Sequence, residues 1–380
     1  MSRFSKIKGI AAISFGDIVG TAISTVFWIY LATQIEPGEY GEIHYFIGII
    51  SIISYIVTVG TRNTIIVCVS KKIEVQSTFY LISLVGTVIA SFVMILIFYR
   101  LDIIFLLLGY VINVLAIGDI LGKKAYSRYT KYVLVQKIST FVLGISFYFI
   151  FGYEGVLYAL GISYFGFILI IYKGFKETRI DFSLLRSRIS FIINNYSIQA
   201  IGGFGGQIDK IIIAPILGFT LLGNYSLALV IINMMLMFSH IVFKYLLPQD
   251  STGEKNQKLR INTIFVSIGI TIIGIIFLPT VIPEFFPKFT DVVEIIQIMS
   301  LGVVIKTITS IFESKFLGLE KSRFVLIATI LHLVTMIAGM ILLGLNFGII
   351  GLAFAFVLAN SVKMATCIFT NMLFVKERFQ

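Results

Sequence analysis

Twelve apolar runs, each about the length of a membrane-spanning helix, follow one another along 380 residues, and alternate gaps between them are rich in lysine and arginine. A helix rising 1.5 Å per residue needs ~20 apolar residues to cross the hydrocarbon core of a bilayer. Runs of that kind lie near 10–33, 43–66, 78–98, 102–121, 133–151, 155–173, 191–214, 222–246, 261–282, 292–315, 324–345 and 349–374. They are continuous and do not alternate in polarity, which favours helices over barrel strands. Only 13% of the residues are charged, against roughly 25% in a soluble domain, so most of the surface is expected to face lipid. The expectation is an all-α polytopic membrane protein of about twelve transmembrane helices.

The basic residues give that chain an orientation. Arg3, Lys6 and Lys8 precede the first run, which is too long for a signal-peptide core and has no small-residue cleavage site after it; it reads as the first span. Further clusters follow every second run: Arg62, Lys71 and Lys72; Lys123, Lys124, Arg128, Lys131 and Lys137; Lys173, Lys176, Arg179, Arg186 and Arg188; Lys244, Lys255, Lys258 and Arg260; Lys315, Lys321 and Arg323; and Lys376 with Arg378. These are 25 of the 30 basic residues, and the opposite side has only Arg100 and Lys288 among Glu36, Glu39, Glu42, Asp102, Glu154 and Glu284. The positive-inside rule places both termini in the cytoplasm of a multi-pass plasma-membrane protein. The net charge of +11 is then a matter of topology and lipid headgroups, and no nucleic-acid partner is expected. Cys68 and Cys367 suggest neither a disulfide framework nor a CxxC metal site.

The sequence also echoes itself. Glu39-Tyr-Gly-Glu-Ile43 after the first run is matched by Leu221-Leu-Gly-Asn-Tyr225 after the seventh, aligning Gly41 with Gly223. Leu121-Gly122 with Ser127-Arg128-Tyr129 is matched by Leu317-Gly318 with Ser322-Arg323-Phe324, and Gly152 and Gly155 by Gly348 and Gly351. The shared order argues for two six-helix halves, 1–180 and 181–380, in parallel orientation about a pseudo-two-fold axis, with a central cavity between them.

Several of these segments resemble a known family. Ile35-Glu-Pro-Gly-Glu-Tyr-Gly-Glu-Ile43 is similar to the element after the first span of polysaccharide flippases. Gln207-Ile-Asp-Lys-Ile-Ile-Ile213 with Leu222-Gly-Asn-Tyr-Ser226 is similar to their seventh- and eighth-span element. Phe316-Leu-Gly-Leu-Glu-Lys-Ser322 and Asn346-Phe-Gly-Ile-Ile-Gly-Leu-Ala-Phe-Ala355 are similar to their glycine-lysine loop and the entry to their last span. The resemblance covers essentially the whole chain and is to the Wzx-type lipid-linked oligosaccharide flippases of the MOP superfamily, which also contains MATE exporters and the lipid II flippase. It implies a MATE-like fold and transport. The motifs are mostly loop and packing glycines, so they speak to the superfamily more than to the substrate.

Ionisable residues within a span cost ~2.5–3.5 kcal/mol at the bilayer centre on insertion scales and are functional candidates by default. Lys306 and Lys363 are the deepest, with Asp209 and Lys210 in the seventh run, Asp17 in the first, and Arg62 and Asp119 near cytoplasmic ends where they can snorkel. Polar stripes at helical spacing add Ser14, Asp17, Thr21, Ser24 and Trp28; Ser51, Ser54, Tyr55, Thr58 and Arg62; Lys306, Ser310 and Glu313; and Asn360 with Lys363. The candidate substrate-binding set is Lys306, Lys363, Lys210, Asp209, Asp17, Arg62 and Asn360. Against it stands ordinary interhelical hydrogen bonding, with the lysines in ion pairs to Asp209 or Asp17. Gly202-Gly-Phe-Gly-Gly206 is a place where the seventh helix can bend. His44, His240 and His332 are isolated on different runs, so no metal site is expected. No Walker element is present, so no cofactor is expected and transport is expected to draw on a Na⁺, H⁺ or substrate gradient.

Three functions are weighed. The first is a flippase moving a polyprenyl-(pyro)phosphate-linked oligosaccharide to the outer leaflet by alternating access, working among membrane lipids beside glycosyltransferases or a polymerase of one pathway. The second is a MATE-type cation-coupled exporter, which wants membrane carboxylates such as Asp17; the deep lysines count against it. The third, a membrane-embedded glycan polymerase, wants a large outer loop, and the outer gaps are short. The expectation is a transporter and not an enzyme.

Overall fold

The structure, a computed structural model, describes residues 3–59, 62–251, 256–319 and 321–374. Lys255, Glu320, Lys376 and Arg378 lie outside the described residues, as do the side chains of Arg3, Lys6 and Lys8. The described residues contain no strand. Sixteen α-helices follow in order: α1 (Arg3–Gln34), α2 (Pro37–Val57), α3 (Arg62–Ser70), α4 (Gln76–Phe98), α5 (Asp102–Gly122), α6 (Tyr126–Phe151), α7 (Tyr153–Ile162), α8 (Ile168–Glu177), α9 (Phe182–Arg186), α10 (Ile189–Gly205), α11 (Ile208–Met235), α12 (Met237–Ser251), α13 (Gln257–Ile272), α14 (Leu278–Phe285), α15 (Val292–Gly318) and α16 (Ser322–Phe374). A 3₁₀ turn (Phe165–Phe167) joins α7 to α8, and a π-helical turn (Ile273–Phe277) joins α13 to α14.

Ten helical runs among the described residues are long and apolar enough to cross a membrane. Two of them, Ile189–Met235 and Ser322–Leu373, are 47 and 52 residues long, about twice a span. Each contains a glycine with positive φ, Gly218 (φ 85°) and Gly348 (φ 57°), where helical geometry is lost. At Gly348 the chain doubles back: a Cβ on Gly351 would lie 2.0 Å from the Leu343 carbonyl oxygen, and one on Gly339 would lie 3.0 Å from the Ala355 Cβ. Beyond Gly218 the helix continues through Leu236 into α12, with the Leu236 N–H on the Ile232 carbonyl and the His240 N–H on the Leu236 carbonyl (3.0 Å each). Divided at these glycines, the ten runs give twelve helical segments, one near each expected span. Together they make this a multi-pass membrane protein.

The second span departs from expectation. A single helix over 43–66 is expected, but α2 ends at Val57 and α3 begins at Arg62. The hydroxyls of Ser51, Ser54 and Thr58 donate to the backbone carbonyls of Ile47, Ser51 and Ser54 (2.6, 2.7 and 2.6 Å). Back-bonding of this kind loosens and bends a helix. The Ile56 carbonyl, next to the helix end, accepts from the Tyr196 hydroxyl of α10 (3.0 Å). The seventh span is likewise in two pieces, α10 and the first part of α11, with Gly206 and Gln207 between them.

The helices gather into two compact units, Met1–Leu31 with Tyr45–Ile208, and Ala32–His44 with Asp209–Gln380. The division differs from a boundary at 180 because α10 packs on α3 and α9, while the start of α2 closes against α11. In the first unit α5 is the central helix, buried along most of its length and in contact with α3, α4, α6, α7 and α8. In the second, α15 takes that place among α12, α13, α14 and α16. These are the helices that carry the matched Leu121-Gly122 and Leu317-Gly318.

Lipid supplies no hydrophobic drive between helices, so fit decides which pairs form. At the α2–α11 contact a Cβ on Gly41 would lie 1.9 Å from the Phe219 carbonyl oxygen, and one on Gly223 would lie 1.8 Å from that of Pro37. The two glycines aligned by the internal repeat therefore touch, each clearing the backbone of the other's helix. The second matched pair shares a turn. Gly152 (φ 70°) and Gly348 (φ 57°) reverse the chain, and Gly155 and Gly351 each cross the carbonyl eight residues back, Phe147 and Leu343.

Charged groups at the helix ends are also accounted for. Arg100 reaches Asp102 (2.6 Å) and Glu154 (3.7 Å) and lies over the Phe46 ring. Lys288 pairs with Glu36 (2.9 Å). The two basic residues that depart from the charge pattern are thus both neutralised locally. On the other side Lys123 bridges Asp119 (2.9 Å) and Glu177 (2.5 Å). Burial works against its charge, but the two carboxylates outweigh it and hold the ammonium above its ordinary pKa. In the second unit Asp250 pairs with Arg260 and accepts from Ser314 (2.6 Å).

Replacing Gly41 or Gly223 by alanine is expected to destabilise the second unit by about 1–3 kcal/mol, the usual cost of overpacking. It should read out as a lower melting temperature in detergent. Gly38→Ala is the control, since its Cβ would meet Thr220 Oγ1 at an ordinary 3.5 Å.

Candidate functional site

The first unit encloses a polar cavity of about 450 Å³. Its walls come from the broken second span and its neighbours. Ser51, Ser54 and Tyr55 lie on α2, Arg62 and Asn63 on α3, Tyr110 and Asn113 on α5, Tyr164 after α7, and Gln199, Gly202 and Gly203 on α10. The gap between α2 and α3 puts Arg62 on the first turn of a new helix. Arg62 is one of the residues that line this cavity. Arg62 makes no hydrogen bond or ion pair among the described residues, and its charge is felt by Tyr129 and Tyr164. The Tyr110 and Tyr164 rings meet edge to face at 5.5 Å. Tyr55 lies flat on the α10 backbone, where a Cβ on Gly203 would come within 2.1 Å of its ring. The glycine cluster thus lets an aromatic wall approach α10, and the helix breaks just beyond it.

Asp17 lies outside that wall. Its Oδ1 accepts from the Tyr129 hydroxyl of α6 (2.7 Å), and its own carbonyl accepts from Thr21 (2.7 Å). Nearby, Lys137 of α6 donates to Ser24 (3.3 Å). The polar stripe on α1 is therefore turned at least partly towards α6, which fits interhelical hydrogen bonding.

The remaining candidates belong to the second unit. Lys363 of α16 pairs with Glu313 of α15 (2.7 Å). The structural alternative weighed from the sequence, an ion pair to Asp209 or Asp17, is not the one Lys363 makes; its partner Glu313 lies on the helix that α16 packs against. Lys306 makes no hydrogen bond or ion pair among the described residues, and its ammonium lies 5.3 Å from the centre of the Phe356 ring. Lys363, Asp209 and Glu313 are the charges that act on it. Asp209 is buried on the first turn of α11, where its Oδ1 accepts from the Lys210 N–H (2.9 Å). Lys210 acts on His44. Asn360 is buried and donates to the Phe356 carbonyl of its own helix (2.7 Å). That bond stays within α16.

Arg62 lines the first unit's cavity, Asp17 is engaged with α6, and Lys306, Lys363 and Asp209 form an electrostatic cluster in the second unit. Tyr110, Asn113, Tyr164 and Asn63 were not expected in a site. The spacing of Tyr110 and Asn113 on one face of α5 is a signal for them, but Tyr164 enters through a 3₁₀ break that no periodicity announces. Among the described residues no group of three or more histidine, cysteine or acidic side chains could hold a metal ion.

No family model matches the sequence, and no curated protein matches it. Solved structures do match. The chain is similar to a multidrug resistance MATE family transporter of the MOP superfamily in its inward-facing conformation, with a TM-score of 0.75 at 14% identity over 95% of each chain. It is similar to the lipid II flippase MurJ in an inward closed conformation, with a TM-score of 0.74 at 16% identity over 95% of this chain and 87% of that one. An outward-facing MATE transporter gives 0.67 at 16% identity over 98% and 97%. Identities this low carry the fold alone. The chain is an all-α, multi-pass membrane protein with the fold shared by MATE transporters and the lipid II flippase.

Proposed function

We propose that this chain is a transporter that moves a polyprenyl-(pyro)phosphate-linked oligosaccharide from the cytoplasmic to the outer leaflet by alternating access. The observation that carries the reading is Arg62, a cation without an ion-pair partner among the described residues, in a cavity otherwise walled by hydroxyls, amides and tyrosine rings. Guanidinium groups suit phosphate oxygens, which they bind in a bidentate fork. Amides, hydroxyls and aromatic faces suit sugars. Among the described residues, no carboxylate lines the cavity. The lipid-linked oligosaccharide is then the ligand, membrane lipids are the surroundings, and the enzymes that build and polymerise the glycan are the functional partners. Both termini lie in the cytoplasm on this reading, as the loop charges indicate. The energy comes from a Na⁺ or H⁺ gradient or from the substrate gradient.

A second reading, a MATE-type exporter of organic cations, has one observation in its favour. The MATE structure is as similar to this chain as the flippase is, with TM-scores of 0.75 and 0.74. Its natural carboxylate, Asp17, already accepts a hydrogen bond from Tyr129, and the charge in the cavity has the wrong sign.

Arg62→Ala is expected to lower surface glycan by about 10–100-fold while the protein still reaches the membrane, the loss of one charge-assisted hydrogen-bonding group. Arg62→Lys should keep part of the activity, because it keeps the charge and loses the fork. Full glycan export by Arg62→Ala would overturn this assignment.

Overexpression is expected to leave tolerance of organic cations unchanged. A rise in tolerance that disappears in Asp17→Asn would favour the exporter. Gly203→Ala, which drives a methyl group into the Tyr55 ring, should impair export without removing any charge.

A further inference from the structure

Lys363 and Glu313 are joined at 2.7 Å, yet each side chain is still about one-fifth exposed, at 20% and 19%. Lys306 stands two turns before Glu313 on the same face of α15, about 10 Å along the axis, with Ser310 between them. It has no counter-ion of its own among the described residues. Its platform is rigid: the Phe356 ring sits where a Cβ on Gly302 would come within 2.7 Å of it. The other ionisable groups around the cluster are Asp209 on α11, His240 and Lys244 on α12, and His332 and Cys367 on α16. His332 lies near the Ala359 backbone, and its Nδ1 is buried without a hydrogen-bond partner.

The pair is only partly buried, and the Lys306 ammonium, whose electrostatic surroundings include both Lys363 and Glu313, has no ion-pair partner among the described residues. The carboxylate is also placed to compete: it holds the ammonium group of Lys363 that, with Lys306, makes a two-point cationic seat.

We propose that Glu313 is a tethered counter-ion for a diphosphate site. It occupies Lys363 when the site is empty and is displaced when a two-centre oxyanion bridges Lys363 and Lys306. This rests on the anion-transport reading above and places a diphosphate contact within the second unit. It also gives the carrier a means of release, because the carboxylate returns to Lys363 as the anion leaves. A single-centre anion meets only one of the two ammonium groups and gains less.

The test is titration calorimetry of the purified, full-length protein with inorganic pyrophosphate and inorganic phosphate. E313Q is expected to bind pyrophosphate at least about tenfold more tightly than the unaltered protein, since an internal competitor has been removed. The gain should be smaller for phosphate, and adding K306Q should abolish it. E313D, whose carboxylate is one methylene shorter, should fall between the two. Unchanged or weaker binding in a folded E313Q or E313D overturns the proposal, as does failure of both to fold, because either result makes the pair a structural brace. The readout is binding of a free anion, so a gain in E313Q stands even where Arg62→Ala leaves glycan export intact.

Discussion

Helices in a bilayer are not pressed together by water. Neighbouring chains and lipid tails are equally apolar, so association depends on how closely backbones approach and on whether each polar group finds a partner. Both requirements are visible in this fold. Gly41 and Gly223 bring α2 onto α11 at distances that no side chain would permit. Gly155 and Gly351 do the same for the hairpins turned at Gly152 and Gly348. The buried hydroxyls and amides mostly close on their own helix or on a neighbour, as in the Gln136–Thr140–Ser163 set, where the distances are 2.8–3.1 Å.

Charge follows from the same constraint. A cation near a span is tolerable where it reaches the interface, where it is paired, or where it has work to do. Arg100, Lys123 and Lys288 are paired at helix ends, and Lys363 is paired within the span region. Arg62 and Lys306 are the described cations singled out from the sequence that this sorting leaves over, one in each unit. Their lack of an ion pair is what makes an anionic ligand the economical reading, and each stands beside aromatic rings: Tyr164 feels the charge of Arg62, and Phe356 lies beneath Lys306.

Much of the architecture was legible in the sequence because it is written in features that survive without tertiary context. Run length and continuity gave helices and their number, and the spacing of glycines marked the turns at Gly152 and Gly348. What the sequence hid was interruption. The break between α2 and α3 coincides with hydroxyls turned back onto carbonyls, which leaves hydropathy unchanged, so 43–66 reads as one span. Arg62, at the start of α3, is among the residues that line the cavity. Partner choice was hidden for a related reason: Glu313 and Lys363 are 50 residues apart, and only the packing of α15 against α16 brings them together. Asn360, one turn from Lys363, donates its amide within its own helix, a bond that helical spacing does not announce.

The two units repeat the frame and not the chemistry. The turn glycines and the buried central helices α5 and α15 recur in both. The polar contents differ. The first unit has a cavity of tyrosines, amides and one arginine, and the second has lysines, a glutamate and a histidine held between α15 and α16. Packing residues are constrained by how closely backbones approach, whereas the polar contents can differ around the same frame. The fold can therefore stay close to those of MATE transporters and the lipid II flippase at 14–16% identity.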